Sequence, residues 1–174
     1  AYVFEVIRKY LKFSGYQVKF VRNVTDVDDK IIEKARESNS GSLIDEVKKV
    51  SEKYYGEYLN ALWELGIEPP DNKETFGPKA TENINEMREL IKKLINKGSA
   101  YENGGDVYFN IDSFKGYGKL SHQNKDAMLE GVRKDPSEKK KNPLDFALWK
   151  KVKEGEPSWP SPWGRGRPGW HIED

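Results

Sequence analysis

The last five residues of the chain bring together side chains that could bind a metal ion. His171, Glu173 and Asp174 are all residue types that coordinate zinc. If residues 170–174 form a strand, alternation places His171 and Glu173 on one face and Asp174 on the other. The three side chains then do not converge on one ion. An ordinary strand with a buried Trp170 is the alternative interpretation.

A second group of possible chemical importance is the acidic turn Asn23-Val24-Thr25-Asp26-Val27-Asp28-Asp29-Lys30. It follows a predicted strand and opens a predicted helix, which is where ligands bind in open α/β sheets. Thr25 offers a hydroxyl group there. The three aspartates complement the helix dipole. Their spacing also allows the interpretation that they bind a magnesium ion. The turn is not an EF-hand, because the glycine and glutamate positions of that loop are missing.

Two arginines near the end of the chain, Arg165 and Arg167, are separated by a single glycine. Guanidinium groups bind phosphates through paired hydrogen bonds, and contacts to the phosphate backbone position a protein on a nucleic acid. The pair is therefore a candidate for phosphate or RNA contact, with a solvated turn as the alternative.

The composition limits the class of protein. The chain has 174 residues, 30 basic and 29 acidic side chains and a net charge of +1, so any nucleic-acid contact must come from local patches. It contains no cysteine, which removes disulfides and thiolate chemistry and agrees with a cytoplasmic protein. The mean hydropathy of −0.88 predicts no membrane span. The first residues predict an amphipathic helix rather than a signal peptide.

The elements that must position these residues alternate in type. In the first hundred residues, apolar periodicity predicts four helices, over 3–13, about 26–37, 42–65 and 84–96. It also predicts a strand over 17–23. Gly15 is expected to end the first helix, and Ser42 with Asp45 suits a capping box for the third. Helix, strand and helix with short connections are typical of an α/β layer with a parallel sheet.

The periodicity changes after residue 98. Segments 99–102 and 106–110 flank Asn103-Gly104-Gly105, which predicts a β-hairpin. Residues 116–120 predict a further short strand. The charged segment 129–142 is interpreted as an exposed connector, and segment 153–169, rich in proline, glycine and tryptophan, as a loop.

Several motifs together carry a family resemblance that covers nearly the whole chain. Gly166 to Glu173 resembles the Gly-Arg-Pro-Gly-Trp-His-Ile-Glu signature of the cysteinyl-tRNA synthetases, in which a cysteine follows; here that position is Asp174. Asn23 to Ile32 is similar to their Asn-Ile-Thr-Asp-Ile-Asp-Asp-Lys-Ile-Ile stretch. Five further segments also fit the family: 98–101, 105–109, 117–121, 143–150 and 155–159.

The resemblance implies an internal segment of a class I aminoacyl-tRNA synthetase, with cysteine, ATP with its magnesium, and tRNA as substrates. The implied fold is α/β, part of a Rossmann-type catalytic domain with an α+β connective insertion. Residues 1–70 would form part of the nucleotide-binding layer with its following helices. Residues 71–160 would form the insertion, and residues 161–174 would return to the catalytic layer.

The resemblance also implies roles for single residues. In the family, the residues that match Thr25 and Trp170 contact the bound cysteine. The aspartates that match those beside Thr25 are mainly structural there. Asp174 stands at the position of a zinc-binding cysteine. Zinc accepts carboxylate oxygen, but a harder ligand weakens the preference for a thiolate. The family's other three zinc ligands and its two ATP motifs are not in this sequence. We therefore expect no catalytic residue in the segment and no aminoacylation by the segment alone.

Two alternatives stay open. The mycothiol ligases share Gly-Arg-Pro-Gly-Trp-His, but they look less like this chain at residues 29–32 and 145–150, so the tRNA ligase is preferred. The chain could instead be a non-catalytic fragment or paralogue that keeps the fold and binds RNA or a protein partner. Flanking sequence with both ATP motifs would support the synthetase.

Overall fold

The computed structural model describes residues 1–38, 41–71, 77–122 and 140–173. The chain divides into two compact units, Ala1–Asn83 and Ile84–Asp174. The described helices of unit 1 are α1 (Tyr2–Phe13), α2 (Asp29–Arg36), α3 (Leu43–Glu64) and a 3-10 turn at Ala80–Glu82. The described elements of unit 2 are α4 (Ile84–Asn96), β1 (Ala100–Asn103), β2 (Asp106–Phe109), a 3-10 turn at Ile111–Ser113, β3 (Phe146–Lys151), β4 (Gly166–Pro168) and the short α5 (Trp170–Glu173).

Helix α1 confirms the first predicted helix, and Gly15, with a φ of 87°, follows its end as expected. The amide of Tyr16 donates to the carbonyl of Leu11 at 3.1 Å, which closes the last turn. The face that α1 buries is polar, since Glu5 and Arg8 are its buried residues. The Arg8 guanidinium lies 3.6 Å from the Glu5 carboxylate and 3.3 Å from that of Asp71. These charges hold α1 against the end of unit 1 that follows α3.

The predicted strand over 17–23 is wrong. The structure places no strand over these residues, and the bridge next to them is a single parallel one, between Val24 and Lys79. The Val24 amide donates to the Pro78 carbonyl at 2.9 Å, and the Ala80 amide donates to the Val24 carbonyl at 3.0 Å. A strand needs a ladder of such bonds, so the segment is extended without being a strand. The expected parallel sheet is represented among the described residues by this bridge alone.

Helices α2 and α3 pack through a small apolar cluster. Its buried members are Ile32, Ala35 and Val47. The Asp28 carboxylate caps α2 by accepting a hydrogen bond from the Lys30 amide at 2.9 Å. The predicted capping box of α3 is wrong: Ser42 stands at the N-cap, but its side chain makes no capping bond. Its carbonyl accepts the first helical bond, from the Glu46 amide.

Unit 2 is built on a sheet in the order β1-β2-β3-β4, in which every pairing is antiparallel. The predicted hairpin is confirmed as β1 and β2, with Asn103 opposite Asp106. Its two turn residues, Gly104 and Gly105, have φ of 66° and 88°. Glycine readily adopts positive φ at both turn residues, and a turn with these angles matches the twist of the flanking strands.

Helix α4 packs against this sheet and closes the core of unit 2. The buried core residues are Ile84, Ile91, Ala100, Val107, Leu148 and Trp149. The strand predicted over 116–120 is wrong, because the backbone bonds are local there. The Tyr117 amide donates to Phe114 at 3.0 Å, and the Lys119 amide donates to Gly116 at 3.1 Å. Most of the predicted connector over 129–142 lies outside the described residues.

Within the described ranges, no helix has both the length and the apolar character that a membrane crossing requires.

Candidate functional site

A cavity of about 260 Å³ opens in unit 1 where the acidic turn meets α2 and α3. Its lining residues come from three segments, and they are Arg22, Asn23, Val24 and Thr25, then Ile31, then Ser51, Tyr54, Tyr55 and Tyr58. The α3 members recur at the spacing i, i+3, i+4 and i+7, which places them on one helix face. Thr25, predicted as a substrate contact, therefore lies in a cavity wall opposite a face rich in phenol rings.

Arg22 is the cationic residue of this wall. Its guanidinium lies 5.3 Å from the ring centroid of Phe20 and 5.6 Å from that of Tyr58, so two aromatic rings hold it by cation–π contact. Its Nη2 atom is buried and has no hydrogen-bond partner. The wall thus presents a positive charge that the described protein groups do not neutralise.

Tyr55 supplies a neutral hydroxyl to the same wall. Burial raises the pKa of Tyr55, and the positive charge of Arg22 opposes that shift. The phenol therefore stays protonated at neutral pH.

The aspartates beside Thr25 have structural partners, as the family resemblance implies. Asp26 accepts hydrogen bonds from the Thr81 amide at 3.0 Å and from the Thr81 hydroxyl at 2.5 Å. Asp28 caps α2. These bonds fix the acidic turn and hold Thr25 at the cavity.

In unit 2, the Gly-Arg-Pro-Gly segment is packed closely against β3. A Cβ atom added to Gly166 would overlap the Lys150 carbonyl and the Trp149 ring, and one added to Gly169 would overlap the Ala147 carbonyl. The Gly169 amide donates to the Leu148 carbonyl at 2.9 Å. Only glycine permits the backbone of this segment to approach β3 so closely. The glycines of the motif therefore serve first to pack the segment against β3.

The two arginines of this segment differ in their surroundings. Arg165 is exposed, and its Nη2 donates to the Ser158 carbonyl at 3.0 Å and to the Ser158 hydroxyl at 3.1 Å. Arg167 is buried, and its Nε lies 3.4 Å from the Glu156 carboxylate. Of the pair predicted to contact phosphate, only Arg165 faces solvent in this structure.

Trp170 lies on a helix instead of the strand that was considered for residues 170–174. It starts the four-residue helix α5 and is 56 % exposed. The ring of the neighbouring His171 meets Phe146 edge-on at 4.8 Å between centroids. The face assignment made for a strand is therefore wrong, because the Gly169 amide is bonded to β3 and the chain then turns into α5.

The residues described here do not assemble a zinc site. Across 1–38, 41–71, 77–122 and 140–173, no group of three histidine, aspartate or glutamate side chains is placed to hold a metal. Asp174, the predicted zinc-position residue, lies outside the described residues.

Comparison with known proteins decides the family. Residues 1–174 match the family described as tRNA synthetases class I (C) catalytic domain. The chain belongs to this class I synthetase family. A Cysteine--tRNA ligase of Thermodesulfovibrio yellowstonii is 52% identical over 177 residues, which is 99% of this chain and 34% of that protein.

Two further relatives of the class I synthetase chain carry the same name. A Cysteine--tRNA ligase of a Geobacillus species is 51% identical over 173 residues, covering 99% of this chain and 35% of that protein. One of Aquifex aeolicus is 48% identical over 171 residues, covering 98% of this chain and 33% of that protein. The chain spans about a third of the length of the relatives it matches.

Most of the cavity wall was not predicted from the sequence. Thr25 was named, but Arg22 and the three tyrosines of α3 were not. The i, i+3, i+4, i+7 spacing of Ser51, Tyr54, Tyr55 and Tyr58 was the available signal, because it marks one face of a helix that follows the acidic turn.

Proposed function

We propose that this chain is an internal segment of a cysteine–tRNA ligase, which activates cysteine with ATP and transfers it to tRNA. The observation that carries the proposal is the identity of 48–52% over 98–99% of the chain to relatives that are all named Cysteine--tRNA ligase. A cytoplasmic location belongs to the same proposal, because tRNA is charged where translation takes place.

The chemistry proposed has two steps. The cysteine carboxylate attacks the α-phosphate of ATP, the bond to pyrophosphate breaks, and cysteinyl-adenylate forms; a terminal hydroxyl of the tRNA then takes the acyl group and releases AMP. Such displacements depend mainly on positioning and on stabilisation of charge at the phosphate. Magnesium would enter with ATP. We assign no catalytic residue within the segment.

Roles of single residues are part of the proposal. Thr25 is proposed as a substrate contact, supported by its place in the cavity of unit 1. Trp170 is proposed as a second contact, supported by its exposed indole. Arg165 is the phosphate-contact candidate that is exposed. We also propose that residues 1–70 and 161–174 belong to the catalytic layer and residues 71–160 to the connective insertion.

A chimaera tests the function. Residues 1–174 replace the matching segment of the Geobacillus enzyme, which is 51% identical, and cysteine-dependent exchange of pyrophosphate into ATP is measured beside the parent enzyme. We expect activity within about tenfold of the parent. A chimaera that unfolds as cooperatively as the parent, yet forms no adenylate, would favour a binding module instead.

The position of Asp174 is tested in the same chimaera with Asp174→Cys. A thiolate at this position is a softer zinc ligand than a carboxylate. We expect the cysteine variant to bind more zinc and to discriminate cysteine from serine about tenfold better. If the two chimaeras had equal zinc content and equal discrimination between cysteine and serine, Asp174 would not be at a zinc-binding position.

A further inference from the structure

One member of a buried ion pair in unit 2, Arg167, lies three residues before Trp170. Its Nε atom donates to the Glu156 carboxylate at 3.4 Å, and both side chains are 4% exposed. Removing two charges from water is unfavourable, and their attraction often only offsets that penalty. Such a pair is therefore weak evidence for stability, and its best-attested role in proteins is to select one register.

The backbone holds the Glu156 carboxylate in place. The Lys153 amide donates at 3.4 Å to the same oxygen that Arg167 meets. The Glu156 amide in turn donates to the Lys153 carbonyl at 3.1 Å. These two bonds close a turn shortly after β3, so Arg167 meets an oxygen that is fixed relative to the sheet.

The side chain of Arg167 is the part of β4 that can specify its register. The strand is three residues long. Its pairs with β3 are Gly166 with Lys151, Arg167 with Lys150 and Pro168 with Trp149. Gly166 has no side chain, and Pro168 has no N–H for the ladder.

Other contacts hold β4 without selecting its register to the same degree. Gly166 exchanges backbone bonds with Trp159 at 2.7 and 3.0 Å, but backbone groups recur along the chain, and register is set by side chains and turns. Gly166 and Gly169 exclude registers that would bring a side chain against β3. The directional contact of Arg167 with Glu156 adds a positive preference for one register.

A change of register in β4 would be transmitted to Trp170. This residue starts α5 only two residues after β4 ends. A slip of one residue moves a strand by about 3.3 Å and exchanges its faces. A gap of about 1 Å already loses up to half of a van der Waals contact energy. An indole displaced by a slip would therefore lose its contact with any ligand.

We propose that Glu156 and Arg167 form a positioning pair, which fixes the register of β4 and thereby the place of Trp170. Arg167 acts through Trp170 rather than on a ligand. The inference rests on the proposed function in one respect, that the ligand of Trp170 is then the cysteine substrate. The pair should accordingly affect affinity for cysteine more than stability of the fold.

The first variant replaces the pair by apolar side chains in the whole 174-residue chain. Glu156→Met with Arg167→Met removes both charges together, so neither is left buried without its partner. We expect thermal unfolding within about 4 °C of the original chain. The control replaces Glu89 and Lys92 by methionine, because that ion pair of α4 is exposed.

Fluorine NMR of the chain labelled with fluorotryptophan reports the position of Trp170. The chain has five tryptophans, and the resonance that is missing from Trp170→Phe identifies this one. We expect it to shift or split in the Glu156–Arg167 double variant and to stay in place in the control. An unchanged Trp170 resonance in the double variant overturns the proposal.

Glu156→Asp decides the outcome even if the double variant does not fold. It keeps both charges and withdraws the carboxylate by one carbon–carbon bond, about 1.5 Å. The Trp170 resonance should shift in this variant and stay in place in Glu89→Asp, which makes the same change in the exposed pair. Equal spectra for the two variants contradict the proposal.

Kinetics in the Geobacillus chimaera separate positioning from a general loosening of the fold. The Glu156–Arg167 double variant should raise KM for cysteine about tenfold and leave KM for ATP within about twofold. Equal increases in both constants would overturn the proposal. An inactive unmodified chimaera would refute the proposed function, and the Trp170 resonance would still test the pair. An active chimaera whose KM for cysteine is unchanged in the double variant would refute this inference alone.

Discussion

Helices α1 and α4 have similar apolar periodicity, yet they bury opposite faces. Helix α4 directs Ile84, Met87 and Ile91 into the core of unit 2. Helix α1 buries Glu5 and Arg8 instead. Its large exposed apolar side chains are Tyr2, Val3, Phe4, Val6, Ile7, Tyr10 and Phe13.

The difference shows what an apolar stripe does and does not predict. The stripe predicts a helix and the relative direction of its faces. Which face is buried within a unit depends on the neighbouring groups. In α1 the neighbours are the Glu68 and Asp71 carboxylates, both within 3.5 Å of Arg8; in α4 they are the apolar residues of the sheet.

The largest expected effect on stability distinguishes the buried apolar face of α4 from the exposed apolar face of α1. Ile91 is fully buried and Ile7 is 47% exposed, so Ile91→Ala should lower the free energy of unfolding by about 4 kcal/mol and Ile7→Ala by less than about 1 kcal/mol. Urea denaturation of both variants is the measurement. Equal losses would mean that the α1 face is buried in the isolated chain.

Next in size is the polar face of α1. Arg8→Met leaves the Glu5 carboxylate, whose side chain is 4% exposed, without its neighbouring guanidinium, and should cost about 3 kcal/mol. The control is Lys12→Met, because the pair of Lys12 with Glu68 is about half exposed. That change should cost less than about 1 kcal/mol. A small loss for Arg8→Met would show that the ion pairs do not orient α1.

Two glycine substitutions of opposite sign probe how closely each unit is packed. Gly169→Ala in unit 2 would overlap the Ala147 carbonyl and should cost about 2 kcal/mol. Gly56→Ala, in α3 of unit 1, has no atom within 4 Å of the added methyl group and should stabilise by about 0.5–1 kcal/mol. Thermal unfolding followed by circular dichroism gives both signs, and a neutral Gly169→Ala would contradict the close packing on β3.

A smaller loss of stability than that for Gly169→Ala is expected at Tyr101 in unit 2. Its hydroxyl donates to the Asp145 carboxylate at 2.7 Å and accepts from the Lys141 amide at 2.7 Å, so Tyr101→Phe should cost about 1.5 kcal/mol. Burial, then the bond to Asp145, raises the pKa of Tyr101 from 10.0 to about 12. The folded state holds this proton more tightly. Its contribution is therefore complete below pH 10 and is lost as the pH rises towards 12.

The measurement for Tyr101 is the free energy of unfolding of both proteins between pH 9 and about 12. The difference between the original chain and Tyr101→Phe should narrow across that range. Parallel curves would show that the raised pKa does not contribute to stability.

Local features of the fold were predictable from the sequence. The helix over residues 84–96 follows from its apolar periodicity, and the hairpin follows from Asn103-Gly104-Gly105. Both depend on interactions between residues close in sequence. The strands predicted over 17–23 and 116–120 failed because a strand also needs a partner, and alternation does not supply one.

The site was predictable only in part. Thr25 was named from the acidic turn and lies in the cavity wall. Arg22 and the α3 tyrosines were not named, because their meeting depends on how α3 packs against α2. The burial of Arg167 was also missed, since its partner Glu156 lies eleven residues earlier in the chain.

The central claim, that the turn at Thr25 serves a cysteine–tRNA ligase, is tested most directly in the chimaera with Thr25→Val and Thr25→Ser. The measurement is kcat/KM for cysteine in pyrophosphate exchange. The valine variant keeps the shape of the side chain and removes the hydroxyl, so we predict a loss of about tenfold or more, with most activity kept by serine. Equal kcat/KM values for the valine variant and the unmodified chimaera would contradict the claim.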